Sequence, residues 1–465
     1  MTAIVTSKFR TLNAENFKED IAASGTSVFV GIGKTDVWSN STSDTTDAAP
    51  FTPYDTIDSL VEARENLFAM KLLNASDVSH VVPRHTWTTG NSYVAWDSDD
   101  ADIFDKKFYV ITSEFKVYKC IYAPGNASTQ EPAQTLTDPQ GESDNYIWKY
   151  MYTVAVADAE KFLTTAYMPV KTIDLSLYSD DDAAETALSE GDYAQYLNQK
   201  ASTNASKAAG IERIEVTAGG SGYTSNPTVI ITGAGTAAAA TAARTGTAVT
   251  SITLTDKGTD YSTAHVLISG GGGSDATARA VISPQNGHGT DPVKELGAFF
   301  IAVNTLLDGT GGSEEDLTVG NDFRQITLIK NPTNTSGGAV STSATRKATP
   351  GISFASTTGT FQVDELITQG TGANRVEAFI TEITSAGVYY YNQNNKTGYG
   401  NFLHTAGTVT GATSGATGTP TSAANTFHTA ADINKHSGDI VFLENRNPID
   451  RISSQIEDIK IIIEF

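Results

Sequence analysis

Tyr146-Ile147-Trp148-Lys149-Tyr150-Met151-Tyr152-Thr153-Val154 alternates large aromatic or apolar residues with a second set of side chains. A repeat of two is the period of a β-strand, so Tyr146, Trp148, Tyr150, Tyr152 and Val154 are predicted on one face and Ile147, Lys149, Met151 and Thr153 on the other. Such an aromatic ladder packs against a core or a partner; left open, it would be a platform for sugar. The same period governs the chain from about Phe108 to Val156, including Val117-Tyr118-Lys119-Cys120-Ile121-Tyr122. Cys120, the single cysteine, reads there as a buried, inert thiol, and its solitude excludes an intrachain disulfide or a cysteine-rich zinc site.

Upstream, Val28-Phe29-Val30-Gly31-Ile32 reads as a buried strand. Asp55 or Thr56 can cap a following amphipathic helix, in which Ile57, Leu60, Val61, Leu67 and Phe68 recur at helical spacing as far as about Leu72. Downstream, Asp180 to Lys207 is polar, acidic and alanine-bearing, as in a weak helix or linker. At the far end, Ile459, Ile461, Ile463 and Phe465 alternate with Lys460, Ile462 and Glu464, a strand.

Two regions repeat. Ile211 to Tyr223 aligns with Val249 to Tyr261 at a period of roughly 38 residues, and each copy continues into a β-branched strand, Val229-Ile230-Ile231 or Val266-Leu267-Ile268. Glycine and an Ala/Thr-rich run follow each strand, giving a small β-module used twice. A weaker similarity joins Gly359-Thr360-Phe361-Gln362-Val363 to the stretch Gly400 to Val409 through a Phe-led strand pattern, within Gly351 to Ala424. Both read as insertions, because Gly297 to Pro332 and His436 to Phe465 return to ordinary globular composition. The division expected is a core part over 1–95, a second β domain with a helical linker over 96–205, tandem repeats over 206–285, core again over 286–349, a second repeat region over 350–428 and core strands over 429–465.

The 465 residues call for several cores at roughly 150 residues each. A net charge of −22, with no Lys/Arg stripe to offset it, disfavours nucleic acid and anionic membrane surfaces as partners. No run nears the roughly 18 apolar residues of a spanning helix, and no apolar stretch follows Lys8 and Arg10 as in a secretory signal.

Chemical motifs are sparse. Gly219 to Gly222 and Gly270 to Gly273 lack the Lys-Ser/Thr of a phosphate cradle and read as turns. Asp97, Asp99, Asp100, Asp102 and Asp105 offer oxygens suited to calcium but not the regular loop pattern, and read as a solvated acidic loop. His80, Arg84 and His85, beside Pro83 and Trp87, read as a strand end and turn rather than a catalytic group. No catalytic, cofactor-binding or metal-binding residue is assigned, no cofactor is expected, and partner-binding residues stay unassigned.

Several blocks together resemble the T4-type phage baseplate wedge subunit known as the gene 8 product. They are Ala3 to Thr11, Phe29 to Ser39 with Trp38, Val82-Pro83-Arg84 with Trp87, Val117 to Cys120, Gly141 to Tyr152, Phe323 to Pro332, and His436 to Arg446 with Pro448. The resemblance covers about half of the chain, and both repeat regions fall outside it; they are similar to small β-modules of phage tails. It implies a mainly β, elongated, multidomain subunit with sandwich-like domains and a few short helices, without catalytic residues. It further implies a homodimer that contacts neighbouring baseplate wedge proteins and peripheral or fibre-network proteins, in the virion tail baseplate after assembly in the host cytoplasm. The competing reading is a tail adhesin whose β-repeats bind host surface glycan.

Overall fold

The computed structural model describes residues 4–39, 45–202, 209–308, 320–343, 345, 347–421, 428–452 and 456–465. The mainly β fold holds, with helices that are few and mostly short. The chain forms two compact units, one of residues 1–15, 79–302 and 462–465, the other of residues 16–78 and 303–461.

In the first unit the aromatic segment builds the antiparallel sheet Tyr109–Ile111, Lys116–Tyr122, Ile147–Thr153, Gln140–Gly141, in that order. Tyr146, Trp148, Tyr150 and Tyr152 are all buried, so the ladder packs inward. It is not continuous, however. Tyr146, Trp148 and Tyr150 share a cluster with Tyr93, Tyr118 and Cys120, whereas Tyr152 and Val154 join Met151, Val117 and Tyr109 in another. Val117 faces Tyr152 while Tyr118 faces Tyr150, which leaves Met151 as an extra residue, and a bulge of that kind turns the strand's later residues to the opposite face. Strict alternation along the segment therefore overstates one face by two residues.

The duplicated region of this unit forms one body instead of two modules side by side. Its strands are Ile211–Ser221, Thr228–Gly233 and Ala239–Thr245 from the first copy, and Ala248–Asp256, Ala264–Ser269 and Ser274–Ile282 from the second. The middle strands pair with each other, and each copy's first strand pairs with the other copy's third. Ile214 faces Ala280, and Ile252 faces Ala242, the same pairing shifted by the repeat period. The two first strands close the sheet into a barrel through hydrogen bonds from Ile211 N–H to the Lys257 carbonyl (2.8 Å) and from Tyr223 N–H to the Thr247 carbonyl (3.0 Å).

Glycine chemistry completes the exchange. A Cβ on Gly273 would stand 2.4 Å from the Tyr223 ring, and one on Gly235 would stand 2.4 Å from the Tyr261 ring. Each buried tyrosine is thus seated against glycine of the other copy, where any larger residue would displace the ring. Gly270 to Gly273 lies between strands as predicted, whereas Gly219 and Gly220 continue the strand Ile211–Ser221.

In the second unit Val28–Gly33 is buried throughout and lies between Leu67–Leu72 and Asp322–Lys330, with Asp439–Asp450 beyond. The helix capped by Thr56, whose Oγ1 accepts from Ser59 N–H at 3.3 Å, ends at Asn66 and not near Leu72. Leu67, Phe68 and Met70 fit helical and extended spacing alike. The deciding factor is non-local: Val28–Gly33 is buried, its backbone groups need partners on both sides, and Leu67–Leu72 supplies one side with Phe29 opposite Leu72 and Gly31 opposite Met70.

A second barrel belongs to this unit. Its strands run Val388–Asn392, Val376–Ile383, Leu366–Gln369, Val409–Gly411, Thr417–Pro420 and Gly351–Thr358 around the ring, closed where Gly351 faces Tyr390. Phe361 and Phe402 do not lead strands as predicted; both sit in loops and bury their rings in the core. The strands that follow them, Leu366–Gln369 and Val409–Gly411, do pair with each other. Ala424, the last residue of the predicted repeat, lies outside the described residues.

The remaining expectations concern single elements. Asp180 to Lys207 supplies the helices Asp181–Ala187 and Glu190–Ser202. The C-terminal strand is present as Ile456–Glu464, with Ile459 and Ile461 buried. Among the described residues no helix is long and apolar enough to cross a membrane.

Candidate functional site

The densest chemistry of the first unit lies where the duplicated barrel meets the aromatic sheet, around a cavity of about 560 Å3 lined by Ile121, Tyr122, Glu212, Arg213, Leu254 and Lys257. The barrel's first strand carries Arg213, which donates through Nη1 to the carbonyls of Trp96 (2.5 Å) and Ile121 (3.3 Å) and through Nε to Glu215 (2.7 Å). Its last strand carries Arg279, which donates to both carboxylate oxygens of Asp97 and to Glu215. Hydrogen bonding from Arg279 outweighs burial and holds Asp97 below the usual carboxylate range.

This arrangement corrects the reading of the acidic loop. Asp97 is a mostly buried docking point for the barrel, and Asp100 pairs with Lys106; the loop is not simply solvated. Among the described residues no group of three or more His, Cys, Asp or Glu side chains is placed to hold a metal ion.

From the cavity wall a row of charges runs inward, exposed at Lys257 and buried at Glu212, His288, Glu295 and Lys119. Lys119 Nζ lies 2.9 Å from Glu295 Oε2 and 3.8 Å above the Trp96 ring. The His288 ring stands 3.5 Å from Glu212 and 3.9 Å from Glu295, and Glu212 reaches Lys257 at 3.0 Å. Burial, reinforced by the Lys119 ammonium, pushes the His288 pKa down. Burial works against ionisation of Glu212, and its contacts with His288 and Lys257 outweigh it. Glu295 also accepts from the backbone N–H of Gly289 at 2.7 Å. Lys119, Glu295 and Glu212 are each held by a partner in the row, an arrangement that fixes neighbouring elements, whereas both ring nitrogens of His288 are buried without a hydrogen-bond partner.

The other residues singled out in the sequence are dispersed. His80 is buried in the strand Val78–Pro83 with Nδ1 3.3 Å from the Ala298 carbonyl, and Arg84 donates to the Thr164 carbonyl at 2.9 Å. His85 lies against the Tyr109 ring, where burial and then Lys107 lower its pKa to about 4. Trp87 Nε1 donates to Ser128 Oγ at 3.2 Å. The segment is a strand end and turn. Cys120 is buried, its Sγ reaches only the Tyr122 carbonyl at 3.4 Å, and burial raises the thiol pKa. Lys119, Arg213, Arg279, His288 and Glu295 escaped the sequence reading. A usable signal existed for Arg213 and Arg279, which are isolated cations in an otherwise Gly/Ala/Thr-rich repeat.

The second unit has its own acidic contact. Asp322 and Asp450 face each other across their strands, and Asp322 N–H donates to Asp364 Oδ2 at 2.5 Å. Burial, with Asp450 close by, raises Asp322 to about 6, and burial raises Asp364 to about 8. Arg324 of the same strand is committed to Asp47 at 2.7 and 2.9 Å.

Against known proteins, residues 3–135 match the family model described as "Bacteriophage T4, Gp8". No curated protein matches the chain. Of the blocks that carried the resemblance, the four from Ala3 to Cys120 fall inside the matched segment, and those from Gly141 onward fall beyond it. The match bears out the likeness to the T4-type baseplate wedge subunit over residues 3–135.

Proposed function

We propose that this chain is a baseplate wedge subunit that pairs with a second copy of itself and links neighbouring wedge proteins, carrying baseplate assembly and its rearrangement at host attachment. The observation that carries the reading is the family match over residues 3–135. The structure is compatible with that task. Each unit contains a barrel-like sheet whose end strands are drawn together, which leaves fewer free strand edges to pair indiscriminately in a crowded assembly. The most concentrated ionisable cluster of the first unit is spent on holding its parts together, as suits a body that transmits force through broad contacts rather than through a reactive pocket. On this reading the subunit is made in the host cytoplasm, needs no cofactor, contacts no nucleic acid or membrane, and carries the segment 206–285 as an inserted module.

Sedimentation of the purified chain together with imaging of intact tails tests this. A dimer at micromolar concentration, with density for the chain at the tail's base in two copies per wedge, is the expected result. A monomer without affinity for other wedge proteins, or a tail base lacking the chain, overturns it.

A further inference from the structure

The second unit holds a cavity of about 510 Å3 whose wall includes Glu65, Asn392, Tyr399, Ile433, Lys435 and His436. Nothing in the proposed wedge role uses it. Lys435 Nζ donates to the Glu65 backbone carbonyl at 3.0 Å and to Asn392 Oδ1 at 2.6 Å. Both acceptors are neutral, so they hold the nitrogen in place without compensating an ammonium charge. The Glu65 carboxylate is itself engaged by the Tyr399 hydroxyl, whose oxygen also lies 3.1 Å from Asn395 Oδ1. The backbone at Lys435 and just after it is pinned as well, because Arg64 donates to the carbonyls of Lys435 (3.1 Å), Ser437 (2.6 Å) and Gly438 (2.6 Å).

We propose that Lys435 is a reactive amine in the wall of this cavity and captures a small polar aldehyde as a Schiff base. A neutral amine donating two hydrogen bonds keeps its lone pair for a third, tetrahedral direction. The lone pair attacks the aldehyde carbon, one proton passes from nitrogen to the carbonyl oxygen, and a carbinolamine forms. Nitrogen then gives up its second proton, the carbon–oxygen bond breaks, and the hydroxyl leaves with a proton as water while the imine forms, so no oxidant or reductant enters. The supply of neutral amine is adequate: burial lowers the Lys435 pKa from 10.5 to about 7, against a smaller opposing effect of Glu65. Glu65, Asn392 and His436 give the wall polar groups suited to a hydroxylated ligand, either a free small aldehyde or the open-chain end of a reducing sugar.

The test is reductive trapping on the intact chain with cyanoborohydride at pH 7, in one arm with glycolaldehyde and in the other with a reducing disaccharide, followed by peptide mapping. Lys435 is expected to be modified about tenfold or more faster than the exposed Lys8 and Lys107, with a rate that levels off near pH 7, where exposed lysines are still almost wholly protonated. Lys435→Arg loses this label while the other lysines keep theirs. Labelling by glycolaldehyde alone assigns the site to free small aldehydes, and labelling in both arms assigns it to sugar ends. If Lys435 reacts no faster than Lys8 and Lys107 in either arm, or if its rate climbs only above pH 9, the proposal is overturned. The readout does not depend on baseplate assembly, so its failure leaves the wedge reading untouched.

Discussion

The two six-stranded antiparallel barrels are built by different means. In the barrel of residues 211–282 a duplicated sequence trades strands, so that neither copy owns a complete sheet and each tyrosine is seated against the other's glycine. In the barrel of residues 351–420 the internal similarity is faint, and closure rests on a dense aromatic core. Phe354 stacks on Phe361 at 5.2 Å, and Tyr391 meets Phe402 edge-on at 5.2 Å. The first core has less aromatic bulk, made of Ile211, Ile214, Ile252, Val249, two alanines and two tyrosines with partly buried aliphatic side chains packed around them. Duplication therefore substitutes mutual completion for aromatic bulk, and it should make the first barrel the more cooperative of the two.

The largest expected effect tests that cooperativity. Tyr223→Ala and Tyr261→Ala should each cost about 3–5 kcal/mol, and the double variant should fall short of their sum because both rings serve one interlocked core. Hydrogen exchange gives the decisive reading. Loss of amide protection across all six strands from either substitution supports mutual completion, and loss confined to the substituted copy breaks it.

The next effect separates the barrels by pH. Asp322 and Asp364 of the second unit have folded pKa values of about 6 and about 8, above the ordinary 3.8. Groups raised on folding contribute stability that is complete below about pH 4 and is lost as pH rises through 6 and then 8. The second unit should therefore weaken by on the order of a few kcal/mol between pH 4 and pH 9, with the first barrel's amides little changed. Asp364→Asn keeps an acceptor for the Asp322 N–H and should flatten most of that slope in denaturant titrations; an unchanged slope would refute the assignment.

A smaller effect is expected at the first barrel's mooring. Arg279 is one-third exposed, so solvent screens its ion pairs, and Arg279→Ala should cost about 1 kcal/mol. The loss should appear as faster exchange in the loop around Asp97, with the barrel's own strands still protected. Smallest of all is Leu267→Ser on the barrel's outer surface, where the side chain is 59% exposed and the change should stay within about 0.5 kcal/mol of neutral. A larger loss would mean that this face is covered by something in the folded molecule.

Much of this architecture was legible in the residues. Period two from Tyr146 to Tyr150, the buried run at Val28, the roughly 38-residue repeat and the cap at Thr56 each depend on neighbours a few positions away, and each was found where the chain predicted it. Where the reading slipped, a distant segment decided. Met151 is extruded by pairing with Lys116–Tyr122, Leu67–Leu72 is drawn out of a helix by a strand needing a partner, and Phe361 and Phe402 plug a barrel from its loops. Candidate chemistry was less legible still, because Lys435 is unremarkable in sequence and acquires its amine character only from the cavity it lines.

By itself, then, the order of residues determined the β class, the duplication and the family likeness, since local periodicity and collinear blocks are properties of one stretch of chain at a time. Strand exchange between the copies, the turning over of Tyr152, the mooring of Asp97 by Arg279 and the surroundings of Lys435 were decided only by tertiary structure. Each of these requires two or more segments to compete for the same hydrogen bonds or the same buried volume, and that competition has no signature until the chain is folded.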